Sequence, residues 1–155
     1  MPKAQVGKIA PNFKLAATGN KDIELKSLRK KMVVLYFYPK DSTPGCTAEG
    51  QDFAAQYAKF KRKNAVVLGI SRDTIASHEK FKKKFNFPFD LLADTDEKAC
   101  KLYDVIKEKN MYGRKVMGIV RSTFLIDADG KLQREWLKVK VKGHVDEVLE
   151  AIKAL

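Results

Sequence analysis

The chain has 155 residues, 45% of them hydrophobic with nine Phe, which is enough apolar content for one domain, residues 1–155, with a substantial core. Its first residues, Met1-Pro2-Lys3-Ala4-Gln5, lack the apolar centre of a secretory signal, no stretch reaches the ~20 apolar residues of a membrane span, and two separated cysteines cannot build a disulfide framework. Thirty-one Lys and Arg against nineteen Asp and Glu give a net charge of +12, which suits an anionic partner but brings no element that reads a nucleic-acid sequence.

A soluble, cytoplasmic chain with reactive thiols is the expectation from these limits. The lysine clusters, Lys26 to Lys31, Lys59 to Lys63, Lys80 to Lys84 and Lys138 to Lys142, alternate with apolar residues and read mainly as the solvated faces of amphipathic helices. Phe13, Leu15, Ala17, Ile23 and Leu25 alternate about Thr18-Gly19-Asn20 and predict an N-terminal β-hairpin. Met32 to Tyr38 is apolar on both faces, as a central strand covered by helices would be.

From Thr43 to about Arg62, Phe53, Tyr57 and Phe60 recur at helical spacing. Ala65 to Ser71 is a second buried strand, so strand, helix and strand form a right-handed βαβ unit. A helix over Thr74 to Phe85, a short strand over Phe89 to Ala93 and a short helix from Asp94 through Cys100 and Tyr103 follow. Lys107 to Lys115, rich in Asn, Gly and Lys, reads as a loop. Ser122 to Ile126 and Gln133 to Leu137 flank the turn Asp127-Ala128-Asp129-Gly130, and Val145, Val148, Leu149, Ile152 and Leu155 stripe a last helix. The order gives an α/β fold of thioredoxin-like layout: a central mixed β-sheet flanked by helices.

Cys46 stands where the first buried strand hands over to a helix. Thr43 is an N-cap type and Pro44 suits the first helical position, which puts Cys46 at the third. Unpaired backbone N–H groups and the helix dipole in that first turn favour a thiolate over a thiol. That setting also argues against Cys46 as apolar filler. Neither His78, on a helical stripe, nor His144, before the last helix, pairs with it by any sequence signal. Scattered Cys and His give no metal-ligand spacing, no phosphate loop is present, and no cofactor is expected.

Pro39, Thr43 and Cys46 in Pro39-Lys40-Asp41-Ser42-Thr43-Pro44-Gly45-Cys46 resemble the Pro-x-x-x-Thr/Ser-x-x-Cys motif of the peroxiredoxins. The lead-in Tyr36-Phe37-Tyr38 is similar to that of the bacterioferritin-comigratory, or Q-type, branch. Gly7 to Phe13, Leu68 to Ser71, Met111-Tyr112-Gly113, Met117 to Ile119 and Arg121 to Asp127 resemble family segments in family order, so the likeness spans nearly the whole chain. It implies a thiol-dependent peroxidase acting on hydrogen peroxide and organic hydroperoxides. Cys46 would be the nucleophile, Thr43 and the Cys46 N–H would donate to the peroxide, Arg121 would hold the thiolate, and Pro39 would shield the pocket. The branch further implies a monomer or weak dimer, with thioredoxin, glutaredoxin or a small thiol as reductant.

The chain departs from the branch at Gln51, where many members carry a resolving cysteine five positions after the first. The helix over Thr74 to Phe85 has none either. Cys100 remains, and Lys98 to Leu102 reads more naturally as a helix whose cysteine is packing. A one-cysteine cycle is therefore expected, against a two-cysteine cycle resolved by Cys100. A reading from a different class is a basic nucleic-acid or protein-binding module on the same scaffold, with Cys46 incidental. A disulfide oxidoreductase is disfavoured because Cys46 lacks a Cys-x-x-Cys partner.

Overall fold

The structure is a computed structural model that describes residues 3–155; Met1 and Pro2, part of the N-terminal stretch read above, lie outside the described residues. The predicted hairpin is present as β1 (Lys14–Ala17) and β2 (Lys21–Glu24), turning at Gly19 and Asn20, whose φ angles are +84° and +57°. Leu25, expected in the second strand, instead begins a turn of 3₁₀ helix over Leu25–Leu28 and is buried there. The βαβ unit runs from β3 (Met32–Phe37) through α1 (Pro44–Ala55) and α2 (Tyr57–Arg62) to β4 (Ala65–Ser71). The single helix expected from Thr43 to Arg62 is thus two, parted at Gln56, whose φ of −102° and ψ of 4° leave the helical range.

Then follow α3 (Ile75–Phe85), β5 (Asp90–Ala93), α4 (Lys98–Leu102), β6 (Ile106–Met111), β7 (Arg114–Ile119), β8 (Ser122–Ile126), β9 (Leu132–Trp136) and α5 (His144–Lys153). Seven strands form one mixed sheet in the order β2-β1-β5-β4-β3-β8-β9. Strands β3, β4 and β5 are parallel, and every other pairing is antiparallel. The thioredoxin-like layout read from the element order is what the chain adopts.

The stretch Lys107 to Lys115 is not a loop. It is the greater part of an antiparallel hairpin of β6 and β7, separate from the main sheet and paired from Ile106↔Ile119 to Met111↔Arg114. Tyr112 and Gly113 turn it with φ of +54° and +80°, the two positive angles that a two-residue hairpin turn of the right twist requires.

Side chains of β3 alternate between two cores, as the period of two in a strand demands. Val33, Leu35 and Phe37 pack on one face of the sheet with Phe13, Cys100, Tyr103 and Phe124. Val34, Tyr36 and Tyr38 pack on the other with Cys46, Phe53, Phe60, Phe81 and Val148. Phe53 holds α1 to that second face; it is fully buried, stacks on Tyr36 at 4.6 Å between ring centroids, and its burial stabilises by about 1.5–3 kcal/mol. Both cysteines are therefore buried, on opposite faces of one sheet.

Candidate active site

The segment from Pro39 to Thr43 carries the chain from the end of β3 to the start of α1, and Asp41 anchors it. The buried Asp41 carboxylate accepts from the Tyr38 hydroxyl at 2.6 Å, the Ser77 hydroxyl at 2.7 Å and His78 Nδ1 at 2.7 Å, while the Asp41 N–H donates to Asp73 at 2.9 Å. Burial alone would raise the Asp41 pKa, but the bonds from His78, Tyr38 and Ser77 carry it below the usual carboxylate value. His78 Nε2 faces the Leu92 carbonyl at 2.9 Å. The two ring nitrogens of His78 thus join Asp41 on one side to the β5 backbone on the other. His78 was expected to contribute nothing; it touches no reacting atom, yet it ties α3 to the loop that presents Cys46.

Asp41, Asp73 and His78 bring three possible metal-ligand atoms within 4.8 Å of one another. Those atoms are already spent on one another and on their neighbours, Asp73 Oδ2 accepting from the Ser71 hydroxyl as well as the Asp41 N–H. The cluster is a structural knot.

Thr43 occupies the N-cap with φ −89° and ψ 154°, as expected, but its side chain makes no cap bond. Its hydroxyl donates to the Lys40 carbonyl at 2.8 Å, bracing the loop. Pro44 is the first helical residue, and the first helical bond runs from the Thr47 N–H to the Thr43 carbonyl at 2.9 Å. The Gly45 and Cys46 N–H groups consequently have no helical partner and point out of the positive end of α1. Pro39 is half-buried at the loop's upstream end.

Cys46 is 2% exposed and packed among the apolar residues of the second core, more enclosed than a helix N-terminus suggested. One charged group reaches it. Arg121, in the short link between β7 and β8, donates from Nη2 to Cys46 Sγ at 3.4 Å. Nη1 of the same guanidinium donates to Glu49 Oε1 at 2.7 Å. The pairing of β3 with β8, Phe37 opposite Ser122, is what delivers Arg121 to the start of α1 across 75 residues of sequence. Burial pulls the Arg121 pKa down, but Glu49 and Cys46 together lift it above its ordinary value. Gly45 leaves room for this guanidinium, since a Cβ there would stand 3.0 Å from Arg121 Nη2.

Glu49 is the site residue that sequence reasoning missed. It lies one helical turn after Cys46 on the same face of α1, it is fully buried, and its Oε2 has no hydrogen-bond partner among the described residues. Burial raises its pKa to about 7 against the opposing pull of Arg121. The folded chain therefore holds a proton on Glu49 that the unfolded chain releases above about pH 4.5. Stability falls between about pH 4.5 and 7, by on the order of 3 kcal/mol at most, and is flat in this term above that range. Urea unfolding of the chain and of Glu49→Gln at pH 5 and pH 8 reads this directly. The wild-type chain should lose stability relative to the variant as pH rises, and parallel profiles would place the Glu49 pKa near its ordinary value.

His144, the first residue of α5, bonds Thr123 through Nε2 at 2.8 Å, and burial drops its pKa to about 4 despite Glu147. It is a neutral core group at pH 7. Cys100 lies on α4 in the core across the sheet, fully buried, and burial followed by the neighbouring Asp94 pushes its thiol pKa far up. A surface cavity of about 550 Å³, lined by Lys3, Asn12, Phe13 and Leu102 among others, includes no residue of the Cys46 site.

The structure brings Arg121 onto Cys46 at a helix N-terminus, as the resemblance implied, and adds a buried Glu49 that it did not; comparison with known proteins settles the kinship of the chain. The model of the AhpC/TSA family matches residues 6–135. The chain belongs to that family, in its peroxiredoxin branch. It is 46% identical to peroxiredoxin Bcp of Bacillus subtilis, over 96% of this chain and 95% of the relative. The structure of PrxQ from Xylella fastidiosa superposes with a TM-score of 0.93 at 42% identity, covering 99% of this chain and 98% of the other. The bacterioferritin comigratory protein of Xanthomonas campestris, described for its alkyl peroxide reduction activity, gives 0.88 at 49% identity over 92% and 90% of the two chains. The peroxiredoxin is thus an enzyme, a thiol-dependent peroxidase, and the reading of a binding module with an incidental cysteine falls away. No helix of the described residues is long and apolar enough to cross a membrane.

Proposed function

We propose that this peroxiredoxin, acting as one domain in a reducing, cytoplasmic setting, turns over hydrogen peroxide and alkyl hydroperoxides at Cys46 by a one-cysteine cycle. Cys46 thiolate attacks the terminal oxygen of the peroxide; the S–O bond forms, the O–O bond breaks, and the departing oxygen leaves as water or alcohol once protonated. Negative charge moves from sulfur to the leaving oxygen, along a line of fixed donors. Arg121 Nη2 is already on the sulfur, and the free Gly45 and Cys46 N–H groups lie beside it. Thr43 is assigned to the peroxide as well, by turning its hydroxyl from the Lys40 carbonyl when substrate enters, and Pro39 to walling the loop side of the pocket. The Arg121 fork over Cys46 and Glu49 is the single observation that carries this reading.

The sulfenic acid is then attacked by an external thiol, giving a mixed disulfide and water, and a second thiol releases Cys46 with formation of the reductant's disulfide. What favours an external thiol is the place of Cys100: it is fully buried in the core on the other face of the sheet, and Gln51 stands on α1 where a resolving cysteine would be. Bringing two Cα atoms within about 7 Å through a seven-stranded sheet would require unfolding. Mass spectrometry of peroxide-treated protein under non-reducing conditions, with Cys100→Ala in parallel, tests it. Sulfenate or over-oxidised Cys46 and undiminished dithiothreitol-supported turnover in Cys100→Ala are expected. A stoichiometric Cys46–Cys100 bridge overturns the one-cysteine cycle. A monomer or weak dimer is proposed as the acting species, since two copies at +12 repel one another.

A further inference from the structure

The hairpin of β6 and β7 stands apart from the main sheet, and its charges are sorted by face. Antiparallel register puts Lys107, Lys109, Met111, Arg114, Val116 and Gly118 on one face, and Glu108, Asn110, Lys115 and Met117 on the other. Glu108, the hairpin's one acid, lies on the second face, 3.8 Å from Lys115. On the first face Lys107 is paired with Asp104 outside the hairpin, whereas Lys109 and Arg114 have no acidic partner among the described residues. Apolar groups are interspersed with these cations. Met111 is 51% exposed, Val116 37%, and Tyr112 at the tip is fully exposed.

The cationic face is also the one turned toward the site. A Cβ at Gly118 would meet the Lys109 stem at 3.3 Å and Arg72 Nη2 at 3.8 Å, so Lys109 lies over Gly118 beside Arg72. Arg72 Nη2 bonds the Met117 carbonyl at 3.4 Å, and β7 runs on through Val120 into Arg121. Lys109 is close enough for its ammonium to feel both Arg121 and Cys46. An arm of six paired positions, about 20 Å long, thus stands at the mouth of a site whose sulfur is 2% exposed.

We propose that the Lys109, Met111, Arg114 and Val116 face of this hairpin, with Tyr112 at its tip, is the docking surface for an acidic protein thiol that reduces Cys46. The inference rests on the external-thiol cycle above. Exposed aromatic and thioether groups ringed by unpaired cations fit a partner with an apolar patch and an acidic rim, whose charge speeds encounter and fixes register. A second copy of this chain is the wrong occupant, because it would bring the same +12. A small thiol needs no such arm.

The experiment uses a reduced thioredoxin of acidic isoelectric point as probe, with dithiothreitol as the small-thiol control. Arg114→Glu and Lys115→Glu change the net charge equally but on opposite faces. Arg114→Glu should raise the KM for the thioredoxin about tenfold with kcat little changed, and Tyr112→Ala about threefold, while Lys115→Glu moves it less than twofold. All three should keep wild-type rates with dithiothreitol. Equal effects of Arg114→Glu and Lys115→Glu would mean attraction to net charge alone and would overturn the docking face, as would no effect from either, or reduction by dithiothreitol but not by thioredoxin. If the wild-type chain consumes no peroxide with dithiothreitol, the peroxidatic cycle fails first and the docking proposal falls with it.

Discussion

Cys46→Ser is expected to bring peroxide consumption down to the rate of buffer with dithiothreitol alone. The substitution removes a nucleophile for which the site has no substitute. Cys100, the remaining thiol, is fully buried across the sheet with its pKa pushed far up, so it is neither ionised nor reachable. A serine hydroxyl in the Cys46 position keeps the Arg121 donor within reach but does not supply an electron-rich, polarisable sulfur to the O–O bond. The fold should survive: the change is nearly isosteric, and the hydroxyl gains a hydrogen bond from Arg121 in place of the sulfur. Circular dichroism and urea unfolding of the variant therefore serve as the control. Turnover persisting above the buffer rate in a folded Cys46→Ser chain would remove Cys46 from its role.

Local features of this chain were legible in the sequence because they are written in short-range patterns. The double-sided apolar run of β3, the Thr43-Pro44 helix start and the Asp127 to Gly130 turn each announce themselves within a few residues, and each stands where it was read. Arg121 was found only through its resemblance to a family segment. In isolation it is one of 31 cations, and what makes it special is a strand pairing across 75 residues. Glu49 is hidden in the sequence for the opposite reason. A glutamate on an amphipathic helix reads as solvated, and no local pattern says that this one faces inward; the available signal was its spacing of one turn from Cys46. The β6 and β7 hairpin reads as a loop because five charged residues in its strands conceal the alternation, and its strands face too little core to need apolar residues. The opposed positions of Cys46 and Cys100 follow from which face of the sheet each helix covers, a property of topology that no spacing along the chain encodes.

Arg121→Ala is expected to slow Cys46 oxidation by about 10²–10³, the cost of deleting one preorganised donor from a site where charge is moving. The difficulty is to separate this loss from damage to the fold, since Arg121 also pairs with a buried carboxylate. Stripping one partner from a buried ion pair ordinarily destabilises by about 3–5 kcal/mol. Here part of that cost is escaped, because Glu49 already binds a proton near pH 7 and, without Arg121, would bind it more tightly. Arg121→Ala/Glu49→Gln removes the carboxylate altogether and should recover most of the lost stability while leaving oxidation as slow as in Arg121→Ala. Arg121→Lys is the sharper probe. An ammonium keeps the charge, but it is a single point and cannot stand 3.4 Å from Cys46 Sγ and 2.7 Å from Glu49 Oε1 in the fork that the two guanidinium nitrogens make. It should restore stability ahead of rate, remaining at least tenfold slow in stopped-flow oxidation by hydrogen peroxide. Full rescue by lysine would reduce Arg121 to a bulk positive charge. Recovery of oxidation in the double variant would make Glu49, and not the arginine's hold on the sulfur, the cause of the defect.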